Sequence, residues 1–283
     1  MARVVSFYKM VAAGNDFVVI DHRQKLIANL KRFAQKICRP HFGVGADGVL
    51  LVEPSRKADF FMRIVNADGS EAEACGNGYR CVAVFAHQVL GFPKRVSFQT
   101  RSGMVEAELV ARAGQGQSRL FQRGPYRVRA EMPSPTGTHE HVEIGLNGNR
   151  LSAAFIQVGV PHVVIFTAHL DRMPVVELGR AIRTHEQFAP RGTNVNFVKV
   201  TGAHQLAIRT YERGVEGETL ACGTGSVAAA LVAARTGRVV PPVHVKTKSG
   251  EVLIVTFKSS RGKIQNVSTE GSAAFVFQGD VRI

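Results

Sequence analysis

Short apolar runs and longer apolar stretches interleave along the chain. The β-branched and aromatic runs Phe17–Ile20, Val49–Val52, Phe60–Val65, Ile156–Val158, Val163–Phe166, Val195–Val200, Leu206–Thr210 and Val252–Phe257 predict strands. Asn29–Ile37 and Glu177–Thr184 carry apolar residues at helical spacing and predict helices. Tyr79–Leu90 and Ser226–Thr236 predict helices of another kind, apolar nearly all round. A helix of that pattern is buried on every side. Gly91 and Gly237 follow these two stretches, where a left-handed C-cap belongs.

The pattern repeats itself. "CGNG" opens the stretch at Cys75 and "CGTG" opens the one at Cys222, 147 residues later (222 minus 75). "TRSG" at Thr100–Gly103 returns as "TKSG" at Thr247–Gly250, again 147 residues on (247 minus 100). "DFVVID" at Asp16–Asp21 returns as "PHVVIF" at Pro161–Phe166, at an offset of 145 (161 minus 16). That period is too long for a solenoid and predicts two halves of like fold. Residues 111–150 hold the turn signals "AGQGQS", "RGP", "PSPTGT" and "LNGN", so the crossing between halves is expected near residue 130.

Composition narrows the class. A chain of 283 residues with 45% hydrophobic content suits one large or two ordinary globular domains. No apolar run approaches the roughly 18 residues of a membrane span. The run between Arg3 and Lys9 is too short for a signal peptide, and a cytoplasmic protein is expected. The net charge of +14 raises nucleic acid binding, but the basic residues are spread along the whole chain. Their densest group, Arg119, Arg123, Arg127 and Arg129, has only Phe121 and Tyr126 as neighbouring aromatics and reads as a solvated basic surface on a loop or exposed strand.

The four cysteines, Cys38, Cys75, Cys81 and Cys222, make no Cys-x-x-Cys pair and no zinc-finger spacing. Cys38 and Cys81 lie within helical apolar patterns and read as small buried hydrophobes. Cys75 and Cys222 differ, because each stands just before the first turn of a buried helix. Unsatisfied N–H groups and the positive end of the helix dipole favour an anion there, and a thiol so placed has a lowered pKa. The glycines at 76, 78, 223 and 225 let backbone N–H groups approach a ligand closely. Each motif therefore offers a sulfur base and part of a carboxylate site. If the halves face each other, one thiolate takes a proton from one face of a carbon, and the other thiol returns a proton to the opposite face. The stereocentre inverts by general acid–base catalysis. No metal motif and no cofactor lysine is evident, so neither metal nor cofactor is expected.

At these residues the chain resembles the diaminopimelate epimerase family. The matching stretches are "KMVAAGNDFVVID" (Lys9–Asp21), "GVGADG" (Gly43–Gly48), "NADGSEAEACGNGYRC" (Asn66–Cys81), "VPHVVIF" (Val160–Phe166), "GTNVNFV" (Gly192–Val198) and "ERGVEGETLACGTG" (Glu212–Gly225), in the family's order. The resemblance implies an α+β fold of two pseudo-symmetric domains, each a curved mixed sheet wrapped around a central helix. It divides the chain into residues 1–130, with a returning strand at 271–283, and residues 131–270. It implies that Cys75 and Cys222 are the acid/base pair. It implies substrate binding by Asn15, Asn66, Asn194, Glu212 and Arg213, and by a backbone cradle of Gly76, Asn77, Gly223 and Thr224. His162 matches a family histidine near the cysteines and is expected to tune the site. The implied reaction interconverts LL- and meso-2,6-diaminopimelate in lysine and peptidoglycan biosynthesis. The expected partner is a small amino-acid substrate, with neither nucleic acid nor membrane, and a homodimer is an open option.

Three departures stand out. Gly48 stands where many members have Gln, Val160 where many have Asn, and "ERGVEGET" is one residue longer than usual. They leave room for a second reading, a cofactor-independent racemase of another amino acid, although "GNDF" and "NADGSE" favour the diaminopimelate branch. A nucleic acid or anion-binding module would leave both cysteine motifs unexplained. A retired enzyme would not need an intact pair.

Overall fold

The computed structural model describes residues 3–112, 125–146, 148–260 and 263–283. Arg119, Phe121 and Arg123 of the basic group, and the "AGQGQS" segment, lie outside the described residues. The chain divides into two compact units, Met1–Ala130 with Glu270–Ile283, and Glu131–Thr269.

The first unit holds β1 (Val4–Ala12), β2 (Asn15–Asp21), α1 (Leu30–Ile37), β3 (Gly48–Glu53), β4 (Phe60–Asn66), the short β5 (Glu71–Ala72), α2 (Gly76–Gln88), β6 (Arg95–Thr100), β7 (Gly103–Arg112) and β8 (Tyr126–Glu131). The second holds β9 (Thr136–Leu146), β10 (Asn149–Val158), β11 (Val160–Phe166), α3 (Val175–Arg183), β12 (Asn194–Gly202), β13 (Gln205–Glu212), the short β14 (Gly217–Thr219), α4 (Gly223–Arg235), β15 (Val243–Lys246) and β16 (Val252–Ser260). A last long strand, β17 (Lys263–Arg282), contributes to both units.

The element order in the second unit repeats that of the first. In the first, β17 pairs antiparallel with β1 and β1 with β2; β2 and β3 run parallel; β3 pairs antiparallel with β4; β4 and β6 run parallel; β6, β7 and β8 continue antiparallel. In the second, β9, β10 and β11 are antiparallel, β11 and β12 parallel, β12 and β13 antiparallel, β13 and β15 parallel, and β15 and β16 antiparallel. Each parallel step needs a crossover, and a helix supplies it. The fold is α+β with a mixed sheet in each unit.

Two helices per unit take the two faces of the sheet. Met10, Phe17, Val19, Leu50, Val52 and Phe98 pack on one face with α2, whose residues Gly76 to Ala86 are all buried. Val5, Phe7, Val18, Ile20, Val49 and Leu51 pack on the other face with Phe33, Ala34 and Ile37 of α1. Successive residues of β2 and β3 thus face opposite helices, which is why these strands read as continuous apolar runs instead of alternating ones. The second unit repeats this. Ile156, Val158, Val164, Val198 and Leu206 pack with α4, and Val163, Ile165, Val195, Phe197 and Tyr211 with α3.

The predicted strands all fall inside observed ones, and the helices shift by a few residues at their starts. α2 and α4 begin three residues earlier than Tyr79 and Ser226, because Gly-x-Gly hides a first turn from any propensity reading. α1 begins after Asn29, whose side chain accepts from the Arg32 N–H at 2.9 Å as the N-cap. α3 begins at Val175, two residues before Glu177. Residues 111–150 hold more order than their turn signals predict. β8 and β9 lie there, Leu146 of β9 pairs with Asn149 of β10, and Gly148 has φ 81°. Much of β9 is exposed, so no apolar periodicity announced it. Arg127 and Arg129 lie on β8 and both pair with Glu270. Cys38 and Cys81 are buried, and burial pushes the Cys38 thiol up to about 12.

α3 approaches β13 through a glycine. A Cβ on Gly179 would lie 2.4 Å from Cβ of Tyr211, an atom fixed to the backbone. Gly179→Ala should therefore destabilise the protein by about 1–3 kcal/mol through overpacking. Denaturant unfolding reads this directly, and an unchanged midpoint would mean that α3 is free to move outward.

Candidate active site

Each unit carries a half-site at the start of its buried helix. Cys75 is the N-cap of α2, with extended backbone at φ −153° and ψ 104°. Its sulfur accepts the Gly78 N–H at 3.4 Å. Cys222 is the N-cap of α4 at φ −119° and ψ 114°, and its sulfur accepts the Gly225 N–H at 3.4 Å. Serine and aspartate oxygens fill this place in ordinary helices. A thiolate accepts the same N–H more strongly than a thiol, so the cap itself favours the charged form.

The repeated Thr-x-Ser-Gly turn holds the segment leading into each cysteine. The Ser102 N–H donates to the Glu73 carbonyl at 3.3 Å, and the Ser249 N–H to the Leu220 carbonyl at 3.0 Å. Both carbonyls lie two residues before the cysteine of their unit. Thr100 and Ser102 bond through their hydroxyls at 2.9 Å, as do Thr247 and Ser249 at 2.8 Å. The second repeat read in the sequence is thus the clamp for the first.

In the first unit, Asn15 opens β2 beside Cys75. Its Oδ1 accepts the Cys75 S–H at 3.7 Å and the Asn77 Nδ2–H at 3.4 Å, while its Nδ2 donates to the Asp47 carboxylate. Asp47 also accepts the Asp16 N–H at 3.1 Å, and Lys9 pairs with Asp16 at 2.5 Å. Asp47 therefore fixes which face of the Asn15 amide meets the sulfur. Asn66 ends β4, opposite Gly48 in the β3 register, and its Nδ2 donates to the Ser70 hydroxyl at 3.0 Å. Gly76 and Asn77 form the first turn of α2.

In the second unit, His162 on β11 is fully buried and faces Asn194 across a parallel register. Asn196, two residues along the same face of β12, donates from Nδ2 to His162 Nδ1 at 3.2 Å and to the Val163 carbonyl at 2.9 Å; its Oδ1 accepts from Thr210 at 3.1 Å. An amide nitrogen only donates, so His162 is the neutral tautomer with its proton on Nε2. That Nε2–H has no acceptor among the described residues. A Cβ on Gly225 would lie 2.4 Å from Asn196 Oδ1, so only glycine lets the cysteine turn meet this amide. Asn194 Oδ1 accepts the Arg213 N–H at 2.8 Å, and Arg213 Nη1 donates to the Arg191 carbonyl at 3.2 Å. Glu212 accepts from Thr219 at 2.5 Å, and the Thr224 hydroxyl lies 3.5 Å from the Cys222 sulfur. Gly223 opens α4.

Sequence reasoning passed over Asp47, Arg80, Asn196 and Thr210. Asn194 and Asn196 at a spacing of two on a strand share one face, and that signal was open to reading in "TNVNF". Val160 is half-buried and pairs with Val158 on the neighbouring strand. No group of His, Cys, Asp and Glu among the described residues is placed to hold a metal ion. None of their helices is long and apolar enough to cross a membrane.

A family model described as diaminopimelate epimerase matches residues 7–128 and 154–276, two segments that begin 147 residues apart (154 minus 7). The diaminopimelate epimerase of Aquifex aeolicus is 40% identical, covering 97% of this chain and 97% of its own. That of Methanothrix thermoacetophila is 42% identical, covering 98% and 96%. Among solved structures, a PhzF-family phenazine biosynthesis protein of Bacillus anthracis matches with a TM-score of 0.73 at 17% identity, covering 99% of this chain and all of that one. At that identity the likeness is one of fold.

Burial, and then the Arg213 charge, push His162 from 6.5 down to about 3. The unfolded chain takes up this proton near its ordinary value and the folded chain does not, so between those limits the unfolded state binds more protons. Stability then falls as pH falls, by up to ~1.4 kcal/mol per pH unit for this group alone. A His162→Gln variant should lose stability less steeply than the parent chain as pH drops below 6.5. Parallel slopes in thermal melts across that window would mean that His162 titrates normally in the fold.

Proposed function

Because the chain belongs to the diaminopimelate epimerase family, we propose that it interconverts LL- and meso-2,6-diaminopimelate, a step in lysine and peptidoglycan biosynthesis. The observation that carries this is the paired N-cap: one cysteine per unit, each bonded to a helix N–H.

The α-proton of an amino acid is weakly acidic, so its removal needs both a poised base and a cradle for the negative charge that develops. In this reading one of Cys75 and Cys222 is the thiolate that takes the proton, and the other is the thiol that delivers one to the opposite face. The two exchange roles for the reverse direction. The first-turn N–H groups of Gly76 and Asn77, and of Gly223 and Thr224, receive the α-carboxylate, since helix N-termini favour anions. Fixed backbone dipoles of this kind need no rearrangement as charge builds up. Asn15, Asn66 and Asn194 bind the amino-acid groups. Arg213 takes the distal carboxylate, to which a guanidinium fork is matched. Glu212 takes an ammonium. The acceptor-free Nε2–H of His162 offers a donor to negative charge at the site, relieving a buried unsatisfied group that costs about 1–3 kcal/mol. At neutral pH His162 acts as a dipole and carries no charge.

Purified, reduced protein incubated with LL-diaminopimelate should yield the meso form, resolved by chiral chromatography. Cys75→Ser and Cys222→Ser should each lower the rate by about 10²–10⁴-fold, the usual contribution of a positioned acid or base. Turnover of another amino acid in place of diaminopimelate would overturn the substrate assignment. Serine variants that work normally would overturn the mechanism.

A further inference from the structure

The loop from β13 to β14 carries Arg213 and is tightly turned. Glu212 and Gly217 form the last pair of the two strands' register, and the Glu216 N–H closes the loop on the Glu212 carbonyl at 2.9 Å. Gly214 has φ 93° and Glu216 has φ 56°. Glycine takes a positive φ freely, whereas a glutamate keeps one only where its surroundings hold it.

The carboxylate of Glu216 itself supplies the hold. One oxygen accepts the Gly214 N–H at 3.1 Å and the Arg183 Nε–H at 2.9 Å; the other accepts the Tyr211 hydroxyl at 3.3 Å. Both side-chain donors are fixed in the body of the unit. Arg183 ends α3, and a Cβ on Gly192 would lie 2.5 Å from its Nη1. Tyr211 is fully buried in the cluster that α3 covers. The first unit builds the same attachment from other residues. Asn66 stands 147 residues before Arg213 (213 minus 66), at the start of the loop from β4 to β5. That loop is tied to α1, where Gln35 donates to the Asp68 carbonyl at 2.8 Å. In each unit, then, a loop bearing an expected substrate residue is anchored to the helix on the sheet face away from the cysteine helix.

We infer that Glu216 is a positioning residue: it folds the β13–β14 loop so that Arg213 is held ready for the distal carboxylate, and so helps select amino acids that carry a second one. Glu216 fixes the loop from the α3 side. From the other side, Asn194 Oδ1 accepts the Arg213 N–H at 2.8 Å and the Arg191 carbonyl accepts Arg213 Nη1 at 3.2 Å. A guanidinium has five N–H donors in a planar fork, so it can keep the Arg191 bond and still receive a carboxylate. Behind burial, the Arg213 charge is the second cause that pushes His162 down, so the cation already acts on that part of the site. The selection of a second carboxylate rests on the proposed function; the placing of Arg213 by Glu216 does not.

Two readouts test it. Phenylglyoxal modification followed by peptide mass spectrometry reads Arg213 without any substrate. Glu216→Ala should speed the reaction of Arg213 severalfold, while Arg209, paired with Glu218 on the same strand, keeps its parent rate. Steady-state kinetics read the consequence. Glu216→Ala should lower kcat/KM for LL-diaminopimelate about tenfold, chiefly through KM. Glu216→Gln keeps an acceptor for the Gly214 N–H and should lie between that variant and the parent. In an Arg213→Met background, Glu216→Ala should change kcat/KM by less than about twofold, because a residue that acts through Arg213 has nothing left to act on. Losses that multiply in the double variant would mark Glu216 as a merely structural residue and overturn the inference. An Arg213 reactivity equal to the parent's in Glu216→Ala overturns it too. A parent chain that ignores LL-diaminopimelate, while Arg213 still gains reactivity in Glu216→Ala, would sink the proposed function and leave the placing of Arg213 standing.

Discussion

The start of a helix buried on all sides is the constraint from which the site follows. Such a helix leaves N–H groups without partners where water does not reach them freely. In both units the partner is a cysteine sulfur at the N-cap, reached by the N–H three residues on. The turn that permits this is crowded enough to exclude a Cβ at Gly225. The preceding segment is held by a serine N–H from the Thr-x-Ser-Gly turn. Stability and reactivity are one feature here: the hydrogen bond that caps the helix is also the one that stabilises a thiolate.

The surroundings of the two sulfurs are dipoles more than ions. Asn15, Asn77, Asn196, Thr210 and neutral His162 are fixed in orientation by partners one step further out. Fixed dipoles respond to charge without stabilising it so deeply that the proton cannot move on.

Much of this was open to a reader of the sequence, and the reasons are physical. β2, β3 and β11 are buried on both faces, so Phe17–Ile20, Val49–Val52 and Val163–Phe166 are unbroken apolar runs, whereas Asn196 and Lys199 interrupt the run of β12. The cysteine motifs repeat because each must cap a buried helix. The starts of α2 and α4 were obscured by the glycines that function requires there. β1, β7 and β9 mix charged residues into their strands, since one face meets solvent along much of their length. Arg80 was hidden for the opposite reason: inside an apolar pattern a lone arginine reads as a solvent-facing residue, and only its zero exposure and its bonds to Gly76 and Asn77 give it meaning. Asn196 was overshadowed by Asn194, although the two share a strand face.

The central claim is that two sulfurs, not one, handle the proton. Proton NMR of the reduced protein turning over LL-diaminopimelate in D2O tests it most directly, read during the first turnovers. With two bases, the meso product should carry deuterium from solvent at its inverted α-carbon, while unreacted substrate still carries its original proton. Product that keeps the substrate's own proton would mean that a single group removes and returns it, and the two-cysteine account would be wrong.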